Sequence, residues 1–410
     1  MQQESQTTDA TSPRPRAIVV TGAAGSGKTT LGRALASITG SAPLDLDSLT
    51  NPLLDAIAAR LGGEHWLSGP DAAQVREGRY GALRSVAADV IGAGQDAVLI
   101  APFTEELRGG AAWNLLRTAL QPAEIVVLHL AGDSGVLAGR RLRRDVERDR
   151  HRSETRYEQP TIPHTRIDVL LSPEQQLFRA LQAAGHRSSV DSAAAPFMRS
   201  FDGFLFDLDG TLADSTAAVL RSWARLADEY GFDDAAVHEN HGRPAHALLR
   251  AVLKPEQVED AAARVQEFET TDLHDVHPTP GALDLLAALP PNQVAIVTSG
   301  KVPVATARLR AAGIPAPKVV VTRDDVVNGK PDPEPFLLGA ARLGVDPTQC
   351  LAFEDAAAGI AAAKAAGCTV VAVRGTSSDA ALADADLVVD SLQDITATSE
   401  GGTTRIRPFR

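Results

Sequence analysis

The sequence predicts an α/β protein built from two parallel-sheet domains in one chain. In each half, short apolar runs typical of buried strands alternate with helix-like segments, beginning with "AIVVTG" at 17–22 and "FDGFLFDLDG" at 201–210. Between the halves, "AAAPFMRS" at 193–200 has the small residues and the proline of a linker. The chain of 410 residues is long enough for each domain to bury its own core.

This alternation sets the expected domain boundaries. The first domain is predicted at residues 14–195, after an N-terminal tail of residues 1–13, and its sheet is predicted to close with a strand at 186–192. The second domain is predicted at residues 200–395. We expect residues 396–410 to form a C-terminal tail.

Composition and charge limit the classes of function. The formal net charge of −12 argues against nucleic acid as a partner, because nucleic-acid binders usually carry a basic surface. Only two cysteines are present, Cys350 and Cys368, which favours a reducing compartment over a disulfide framework. No apolar run reaches membrane-spanning length, and the first residues lack the apolar core of a signal peptide. We therefore expect a cytoplasmic protein without a membrane partner.

A glycine-rich loop follows the first predicted strand. In "GAAGSGKTT" at 22–30 the spacing is G-x-x-x-x-G-K-[ST], between a strand and a helix. Glycines let backbone N–H groups converge on phosphates, and the helix N-terminus favours negative charge. Lys28 is expected to contact the phosphates and the Thr29 hydroxyl to bind Mg²⁺. The predicted nucleotide-binding residues are Gly22, Gly25, Gly27, Lys28, Thr29 and Thr30.

Two further groups of charged residues are candidates for this site. Asp45 and Asp47 end the predicted second strand, where they could orient an acceptor hydroxyl, hold Mg²⁺ through water, or simply cap a helix. The run "GRRLRRDVERDRHR" at 139–152 could neutralise a transferring phosphoryl group or form a solvated, salt-bridged helix. It could also contact nucleic acid, although interleaved acids weaken that option. The lid candidates in this run are Arg140, Arg144 and Arg148.

With these features, residues 14–195 resemble the small P-loop kinases of the gluconate-kinase and adenylate-kinase type. The resemblance implies ATP as phosphate donor and an arginine-rich lid. The chain departs from the family where the third strand ends in Ala101 and Pro102, because the usual Walker B acid is missing there. Two alternatives follow: Glu105 or Glu106 substitutes for that acid, or the domain senses a nucleotide without transferring phosphate.

A helical block interrupts the second half just after its first strand. In "STAAVLRSWARLADEYG" at 215–231, apolar residues recur on one helical face, with Ser215 expected as N-cap and Gly231 as the C-terminal stop. Helical patterning continues to about residue 288, after which strand-like runs return. We expect a small helical cap at about 215–288.

Two carboxylates follow the first strand of this half. "DLDGT" places Asp207 and Asp209 at the end of a buried strand, where α/β sheets position their ligands. Two acids so close are expected to require a cation such as Mg²⁺. Asp207 can attack phosphorus to give a phosphoaspartyl enzyme. Asp209 can protonate the leaving alkoxide and later deprotonate water.

Three later strand ends supply complementary groups. Thr298 in "AIVTSG" can donate a hydrogen bond to a phosphoryl oxygen, and Lys330 in "NGKPDPEPF" supplies a fixed positive charge. Glu354 and Asp355 in "LAFEDAAAG" can complete a Mg²⁺ site. Each signal alone is weak, but their order along successive strand ends predicts one catalytic centre. The predicted metal ligands are Asp207, Asp209, Glu354 and Asp355, with Thr29 in the first domain.

These motifs resemble the haloacid dehalogenase-like phosphohydrolases, over about residues 200–393. Within that superfamily, "FEDAAAGIAAAKAAG" and "GKPDPEPF" are most similar to sugar-phosphate and glycerol-phosphate phosphatases. The resemblance implies catalytic roles for Asp207, Asp209, Thr298 and Lys330, and a small cap over the site. In the cap, "ENHGRPAHALLR" resembles a substrate loop, so His241 and Arg243 are candidate substrate contacts; His241 could equally be structural. A mutase uses the same core and stays an alternative.

Together these patterns predict a bifunctional enzyme for small phosphorylated metabolites, with a Mg²⁺-dependent phosphatase and an ATP-dependent kinase. The two activities would act on different phosphates of one pathway, because removing the phosphate just added would waste ATP. One alternative is nucleic-acid end repair, since polynucleotide kinase-phosphatases join the same two domain types. The acidic balance, the 4% aromatic content and the cap argue against it. Another is a phosphatase regulated by a nucleotide-binding domain without transfer activity, which the missing Walker B acid favours.

Overall fold

The computed structural model describes residues 14–57, 71–132, 137, 160–186, 190–233, 245–400 and 403–409. The chain divides into two compact units, Met1–Val169 with Arg179–His186 and Leu170–Phe178 with Arg187–Arg410. Each unit contains its own parallel sheet, which confirms the predicted α/β class. In the described part of the chain, no helix combines the length and the apolar character needed to cross a membrane.

The first unit is built around a five-stranded parallel sheet in the order β2-β3-β1-β4-β5. Its elements are β1 (Arg16–Gly22), α1 (Lys28–Thr39), β2 (Ala42–Asp45), α2 (Leu46–Ile57), α3 (Ala72–Gly92), β3 (Ala97–Ile100), α4 (Gly110–Ala119), β4 (Glu124–Ala131) and β5 (Thr165–Asp168). A further helix, α5 (Pro173–Ala183), has residues in both units. Every residue of β3 is buried, as in parallel sheets covered on both faces.

The last strand of the first unit lies earlier in the chain than the sequence predicts. The sheet ends with β5, whose four residues form too short a run to stand out in the sequence. Residues 190–192, part of the expected strand, are not in a strand, and residues 187–189 lie outside the described residues. The prediction of a strand at 186–192 is therefore wrong for the residues that the structure describes.

The second unit contains a six-stranded parallel sheet in the order β10-β9-β6-β11-β12-β13. Its elements are β6 (Gly203–Phe206), β7 (Ala213–Asp214), α6 (Thr216–Tyr230), α7 (Ala245–Val252), α8 (Pro255–Thr271), β8 (His277–Pro278), α9 (Ala282–Ala288), β9 (Val294–Val297), α10 (Val302–Ala311), β10 (Val319–Val321), α11 (Glu334–Leu343), β11 (Cys350–Glu354), α12 (Ala357–Ala365), β12 (Thr369–Val373), α13 (Asp379–Leu382), β13 (Leu387–Val389), β14 (Ile395–Glu400) and β15 (Thr403–Pro408). β6 lies between β9 and β11, so the residues after β6 are flanked by two strand ends.

The segment expected as a linker packs on the second unit. Phe197 is buried in the core beneath the six-stranded sheet, and Val190 and Ala194 pack against the same core. Burial of the Phe197 ring removes apolar area from water, which stabilises the packed position of this segment. This segment is therefore part of the second unit.

The helical cap has a core of its own, made by α6, α7 and α8. Trp223, Leu249 and Phe268 are buried together in it. By contrast, Ala282 and Leu285 of α9 are buried in the core of the six-stranded sheet. The cap therefore ends near residue 271 rather than near 288, because α9 packs against the sheet.

The expected C-terminal tail is an antiparallel hairpin of β14 and β15. Alternate residues of β15 are buried, and Ile406 lies fully buried in the core of the second unit. Arg405 and Arg407, on either side of Ile406, are exposed. Such alternation is typical of a strand with one face on a core. The prediction of a tail at 396–410 is corrected accordingly.

Candidate active site

The polar residues of the second unit meet at the carboxyl edge of its sheet. Asp207 directly follows β6, Thr298 follows β9, and Glu354 ends β11 with Asp355 after it. The backbone N–H of Asp207 donates to the Phe353 carbonyl oxygen at 2.9 Å, which fixes the first turn beyond the strand. Parallel neighbouring strands thus bring residues from distant parts of the chain to one place.

Lys330 forms the electrostatic centre of this edge. Its Nζ lies 2.5 Å from Asp207 Oδ1 and 2.5 Å from Glu354 Oε1, and the lysine is 3% exposed. Burial alone would lower the pKa of Lys330, but the two carboxylates raise it above its ordinary value. Lys330 therefore carries a permanent charge beside Asp207.

Three buried carboxylates at the edge could hold a divalent cation. One oxygen each from Asp207, Glu354 and Asp355 lies within 4.8 Å of the others. Burial raises the pKa of Asp207 well above its ordinary value against the attraction of Lys330, and burial followed by the Glu354 charge raises the pKa of Asp355 to about 7. One lysine does not balance three acids, and carboxylate oxygens are the ligands that Mg²⁺ prefers. This donor set fits Mg²⁺.

Hydroxyl groups orient the site from three directions. Thr211 Oγ1 donates to Asp355 Oδ1 at 3.3 Å, and Thr376 Oγ1 donates to the backbone oxygen of Asp355 at 2.9 Å and to its carboxylate. Thr298 Oγ1 accepts a hydrogen bond from the Gly300 N–H at 3.0 Å. That bond turns a lone pair of Thr298 toward the loop, so its O–H can point to a phosphoryl oxygen.

Asp209 lies beside the carboxylate cluster but outside it. Its Oδ1 accepts hydrogen bonds from Ser215 Oγ at 2.5 Å and from Arg308 Nη1 at 3.1 Å. The Asp209 side chain is 25% exposed, whereas Arg308 is fully buried. Asp209 was predicted as a metal ligand, but its side chain is not among the three clustered acids because these two partners hold it elsewhere. Ser215 precedes α6 as predicted but its side chain makes no capping hydrogen bond.

A pocket opens over these residues, between the sheet edge and the cap. Asp207, Asp209 and Lys330 line it on one side. The cap helices contribute the apolar Trp223 and polar residues including Glu269. A small molecule in this pocket would contact Asp207, Asp209 and the cap at once.

In the first unit, the predicted phosphate loop joins β1 to α1. Gly22, Gly25 and Gly27 have φ values of 149°, 83° and 94°, so glycine suits all three positions. A Cβ at Gly22 would lie 2.6 Å from the Leu130 carbonyl oxygen. Lys28, the first residue of α1, donates from Nζ to the Ala23 carbonyl oxygen at 2.7 Å. The loop geometry suits phosphate binding at a helix N-terminus.

The other loop residues follow in the first turn of the helix. Thr29 is partly buried and Thr30 is exposed. A hydroxyl on the first turn of a helix lies near any phosphate that the loop holds. The Mg²⁺ role of Thr29 stays a prediction.

The two aspartates near β2 have structural partners. Asp45 Oδ1 accepts from the backbone N–H of Asp47 at 3.0 Å and of Ser48 at 3.4 Å, at the start of α2. Asp47 pairs with buried Arg79 at 2.6 Å. The Asp45 contacts agree with the helix-capping alternative, Asp47 is held by an ion pair, and a role of either residue toward an acceptor stays a prediction.

The end of β3 supplies no free acid to the loop. Ala101 and Pro102 follow the strand, and the Pro102 carbonyl oxygen accepts a hydrogen bond from Thr21 Oγ1 at 2.7 Å. Arg76 pairs with Glu105 and with the buried Glu106, each at 3.2 Å. Burial raises the pKa of Glu106. Both candidate substitutes for a Walker B acid are thus engaged by one arginine.

Several predicted residues lie outside the described residues. These are the lid candidates Arg140, Arg144 and Arg148, the cap candidates His241 and Arg243, and the N-terminal residues 1–13.

Sequence patterns missed four contributors to the second-unit site. Arg308 is on α10 and Glu269 on α8, where each was one charged residue in an amphipathic helix. Ser215 had been interpreted as a cap, and Thr376 follows β12 without a motif. For Thr376 the available signal was its position just after β12, because the carboxyl ends of parallel strands meet at one edge of the sheet.

Comparison with known proteins concerns mainly the second unit. The family model of haloacid dehalogenase-like hydrolases matches residues 204–373. Hexitol phosphatase A of Escherichia coli (strain K12) is 43% identical over 204 residues, which are 48% of this chain and 94% of the relative.

Two further relatives have names of the same kind. Validoxylamine A 7'-phosphate phosphatase of Streptomyces hygroscopicus subsp. limoneus is 36% identical over 200 residues, 47% of this chain and 94% of the relative. Glycerol-1-phosphate phosphohydrolase 1 of Saccharomyces cerevisiae (strain ATCC 204508 / S288c) is 34% identical over 195 residues, 44% of this chain and 78% of the relative. Each of the three relatives is named as a phosphatase or phosphohydrolase.

Proposed function

The chain belongs to the haloacid dehalogenase-like hydrolases through residues 204–373, and from this we propose that its second unit is a Mg²⁺-dependent phosphatase for sugar or polyol monophosphates. The observation that carries the proposal is the contact of Lys330 with both Asp207 and Glu354, at 2.5 Å each, at the buried edge of the sheet. Because Asp207, Lys330 and Glu354 line one pocket, the contact supports the proposal that they act as nucleophile, fixed cation and metal-binding acid.

Asp207, Glu354 and Asp355 would hold Mg²⁺. Bound there, the ion supplies positive charge that draws a phosphate dianion toward an anionic nucleophile. Lys330 would add a second positive charge beside the nucleophile and the phosphate. Thr298 positions the phosphoryl group from the neighbouring strand end.

The reaction then proceeds in two displacements. An Asp207 carboxylate oxygen attacks phosphorus, a phosphoaspartate bond forms, and the phosphorus–oxygen bond to the alcohol breaks. Asp209 gives its proton to the leaving alkoxide. In the second step Asp209 takes a proton from water, whose oxygen attacks the same phosphorus and releases inorganic phosphate and free Asp207.

The substrate class is inferred from the relatives and the pocket. Hexitol phosphatase A is 43% identical, and the proposal transfers to this chain the preference for a phosphorylated polyhydroxy compound that its name states. The pocket between sheet edge and cap has polar groups on both sides, as such a substrate requires.

Phosphate release from a substrate panel tests this proposal. The panel contains hexitol, hexose, pentose and glycerol phosphates, nucleotides, and an oligonucleotide with a 3′-phosphate, with Mg²⁺ or with chelator. We expect Mg²⁺-dependent release from small sugar or polyol esters and none from Asp207→Asn. Preference for the oligonucleotide end would overturn the proposal and favour end repair.

For the first unit we propose ATP binding at the loop of Gly22 to Thr29, with phosphoryl transfer to a small acceptor. The loop's positive-φ glycines and the position of Lys28 at the start of α1 support binding. ATP binding by calorimetry, followed by transfer assays with dephosphorylated products of the panel, tests it. Lys28→Ala should abolish ATP binding while leaving phosphate release by the second unit intact.

A nucleotide-binding unit without transfer activity is the second candidate. It is favoured by Ala101 and Pro102 at the end of β3 and by the pairing of Glu105 and Glu106 with Arg76. Tight ATP binding that changes the phosphatase rate, without ADP formation with any acceptor, would support it over the kinase.

A further inference from the structure

The pocket of the second unit has one carboxylate on its cap side that no catalytic step uses. Glu269, on α8, lines the pocket together with Gln266 and His246 from the cap. Burial raises the pKa of Glu269 to about 7, against the attraction of Arg308 and a side-chain hydrogen bond with Trp223. The carboxylate is thus held inside the pocket, close to the catalytic acid.

Arg308 explains how a second acid is tolerated beside Asp209. Its guanidinium is fully buried, its Nη1 lies 3.1 Å from Asp209 Oδ1, and it attracts Glu269 as well. Its Nε has no hydrogen-bond partner among the described residues. The charge of one buried cation therefore acts on two carboxylates, and its hydrogen bond to Asp209 leaves other N–H donors of Arg308 available.

The ligand groups that would complement Glu269 are hydroxyls. Above about pH 7 Glu269 is ionised, and an ionised carboxylate accepts hydrogen bonds at two oxygens and donates none, so it suits a pair of neighbouring hydroxyls. It repels phosphate and carboxylate groups in a pocket of low dielectric. Among the described cap residues that line the pocket, Glu269 carries the only carboxylate, and His246 pairs with Glu259 at 3.2 Å.

We propose that Glu269 is a specificity-determining residue that binds hydroxyls of the leaving alcohol and selects an uncharged polyol or sugar over one bearing a second anionic group. The inference rests on the proposed phosphatase function and narrows its substrate class. It also separates the phosphatase from a mutase, because a mutase that works through a bisphosphate must hold a second phosphate in this same pocket.

Variants of Glu269 test the assignment against three substrates. These are hexitol 6-phosphate, hexose 1,6-bisphosphate and p-nitrophenyl phosphate, which has no aliphatic hydroxyls. In Glu269→Gln we expect kcat/KM for the hexitol ester to fall roughly 10- to 100-fold further than that for p-nitrophenyl phosphate, because a charged acceptor is lost. In Glu269→Lys the ratio of bisphosphate to hexitol ester turnover should rise at least about tenfold.

Glu267→Gln is the matched control, since Glu267 is exposed on the same helix and pairs with Arg264 at 2.6 Å. It should leave all three rates within about twofold. Equal losses on the hexitol ester and p-nitrophenyl phosphate in Glu269→Gln would overturn the inference. If Glu269→Lys does not fold, the Glu269→Gln comparison decides alone.

The two proposals fail in different ways. Wild-type protein that releases phosphate from none of the three substrates contradicts the phosphatase function itself. Wild-type protein that cleaves the hexitol ester, with Glu269→Gln behaving identically, contradicts only the role of Glu269.

Discussion

Lys330 balances the charges of two carboxylates at a site where all three side chains are almost fully buried. Its ammonium contacts Asp207 and Glu354, and each carboxylate is 10% exposed or less. An isolated buried charge is costly, whereas removing one partner of a buried group of charges leaves the rest uncompensated. The lysine therefore serves the fold and the proposed chemistry together.

Replacing Lys330 tests its proposed role in phosphate release, and replacing an exposed lysine controls for the loss of a surface charge. We expect Lys330→Met to lower kcat/KM for phosphate release by about 10²- to 10³-fold, because a fixed charge on the transferring group is lost. The measurement is steady-state phosphate release at saturating Mg²⁺. Lys364→Met, which removes an exposed pair with Asp386 at 2.8 Å, is the control and should be nearly neutral. A variant at Lys330 with wild-type kinetics would contradict the assignment.

Residues differ in how far the sequence could predict them. Asp207, Glu354 and Asp355 stand at ends of apolar runs, and parallel strands bring such ends together, so their proximity was predictable. Arg308 and Glu269 are single charged residues within helices, and no local pattern tells which side of a helix meets a pocket. Only the packing of the cap reveals them.

At the scale of single elements, helix α12 lies so close to the Glu354 carboxylate that a side chain at the contact would clash with it. A Cβ on Gly359 would lie 1.8 Å from Glu354 Oε1. The first turn of α12 is therefore in close contact with the Glu354 carboxylate, which also contacts Lys330. Gly359 is needed here for space, since its backbone conformation is helical.

Gly359→Ala should displace Glu354 and weaken Mg²⁺ binding. We expect the half-saturating Mg²⁺ concentration for phosphate release to rise roughly 10- to 100-fold, as for other changes that disturb metal ligands. Gly78→Ala in α3 is the control, because no described atom lies within 4 Å of its Cβ position. An unchanged Mg²⁺ dependence in Gly359→Ala would argue against Glu354 as a ligand.

The C-terminal hairpin is also an element with a measurable contribution. Ile406 of β15 is fully buried, and its neighbour Arg407 is exposed. We expect Ile406→Ala to destabilise the second unit by about 2–5 kcal/mol, the cost of truncating a buried aliphatic side chain. Arg407→Ala should change the free energy of unfolding by less than about 0.5 kcal/mol. Urea unfolding measures both, and equal effects would mean that the hairpin is not packed as described.

Elements were predictable where their apolar pattern was long. Helix α6 ends at Tyr230, before Gly231 in a left-handed conformation, as the sequence indicates. Strand β15 was missed because only Thr404 and Ile406 face the core, and two alternating positions are too few to detect. Short elements depend on tertiary packing that the sequence does not display.

At the scale of the whole molecule, we expect the carboxylate cluster to make stability depend on pH and on Mg²⁺. Burial and Glu354 raise the pKa of Asp355 to about 7, above its value in the unfolded chain. The metal-free folded protein thus binds this proton more tightly than the unfolded chain does. Its stabilising contribution is complete below about pH 4 and is lost as pH rises through about 7.

Mg²⁺ should replace the lost proton, so its stabilising effect should grow with pH. We expect the rise in melting temperature on adding Mg²⁺ to chelator-treated protein to be larger at about pH 8 than at about pH 5. Differential scanning calorimetry measures it, and Asp355→Asn should reduce the pH dependence. An equal Mg²⁺ effect at both pH values would show that the cation binds elsewhere.

The chain enters and leaves the helical cap at neighbouring points, where Ala213 of β7 lies opposite Pro278 of β8. An insertion whose ends are adjacent can be exchanged, lengthened or reshaped without disturbing the surrounding sheet. The proposed nucleophile and its cationic partner both lie outside residues 216–271, whereas the proposed selector of the alcohol lies within them. In evolution, such a chain can acquire a new substrate through changes in the cap, while the residues proposed for the chemistry stay unchanged.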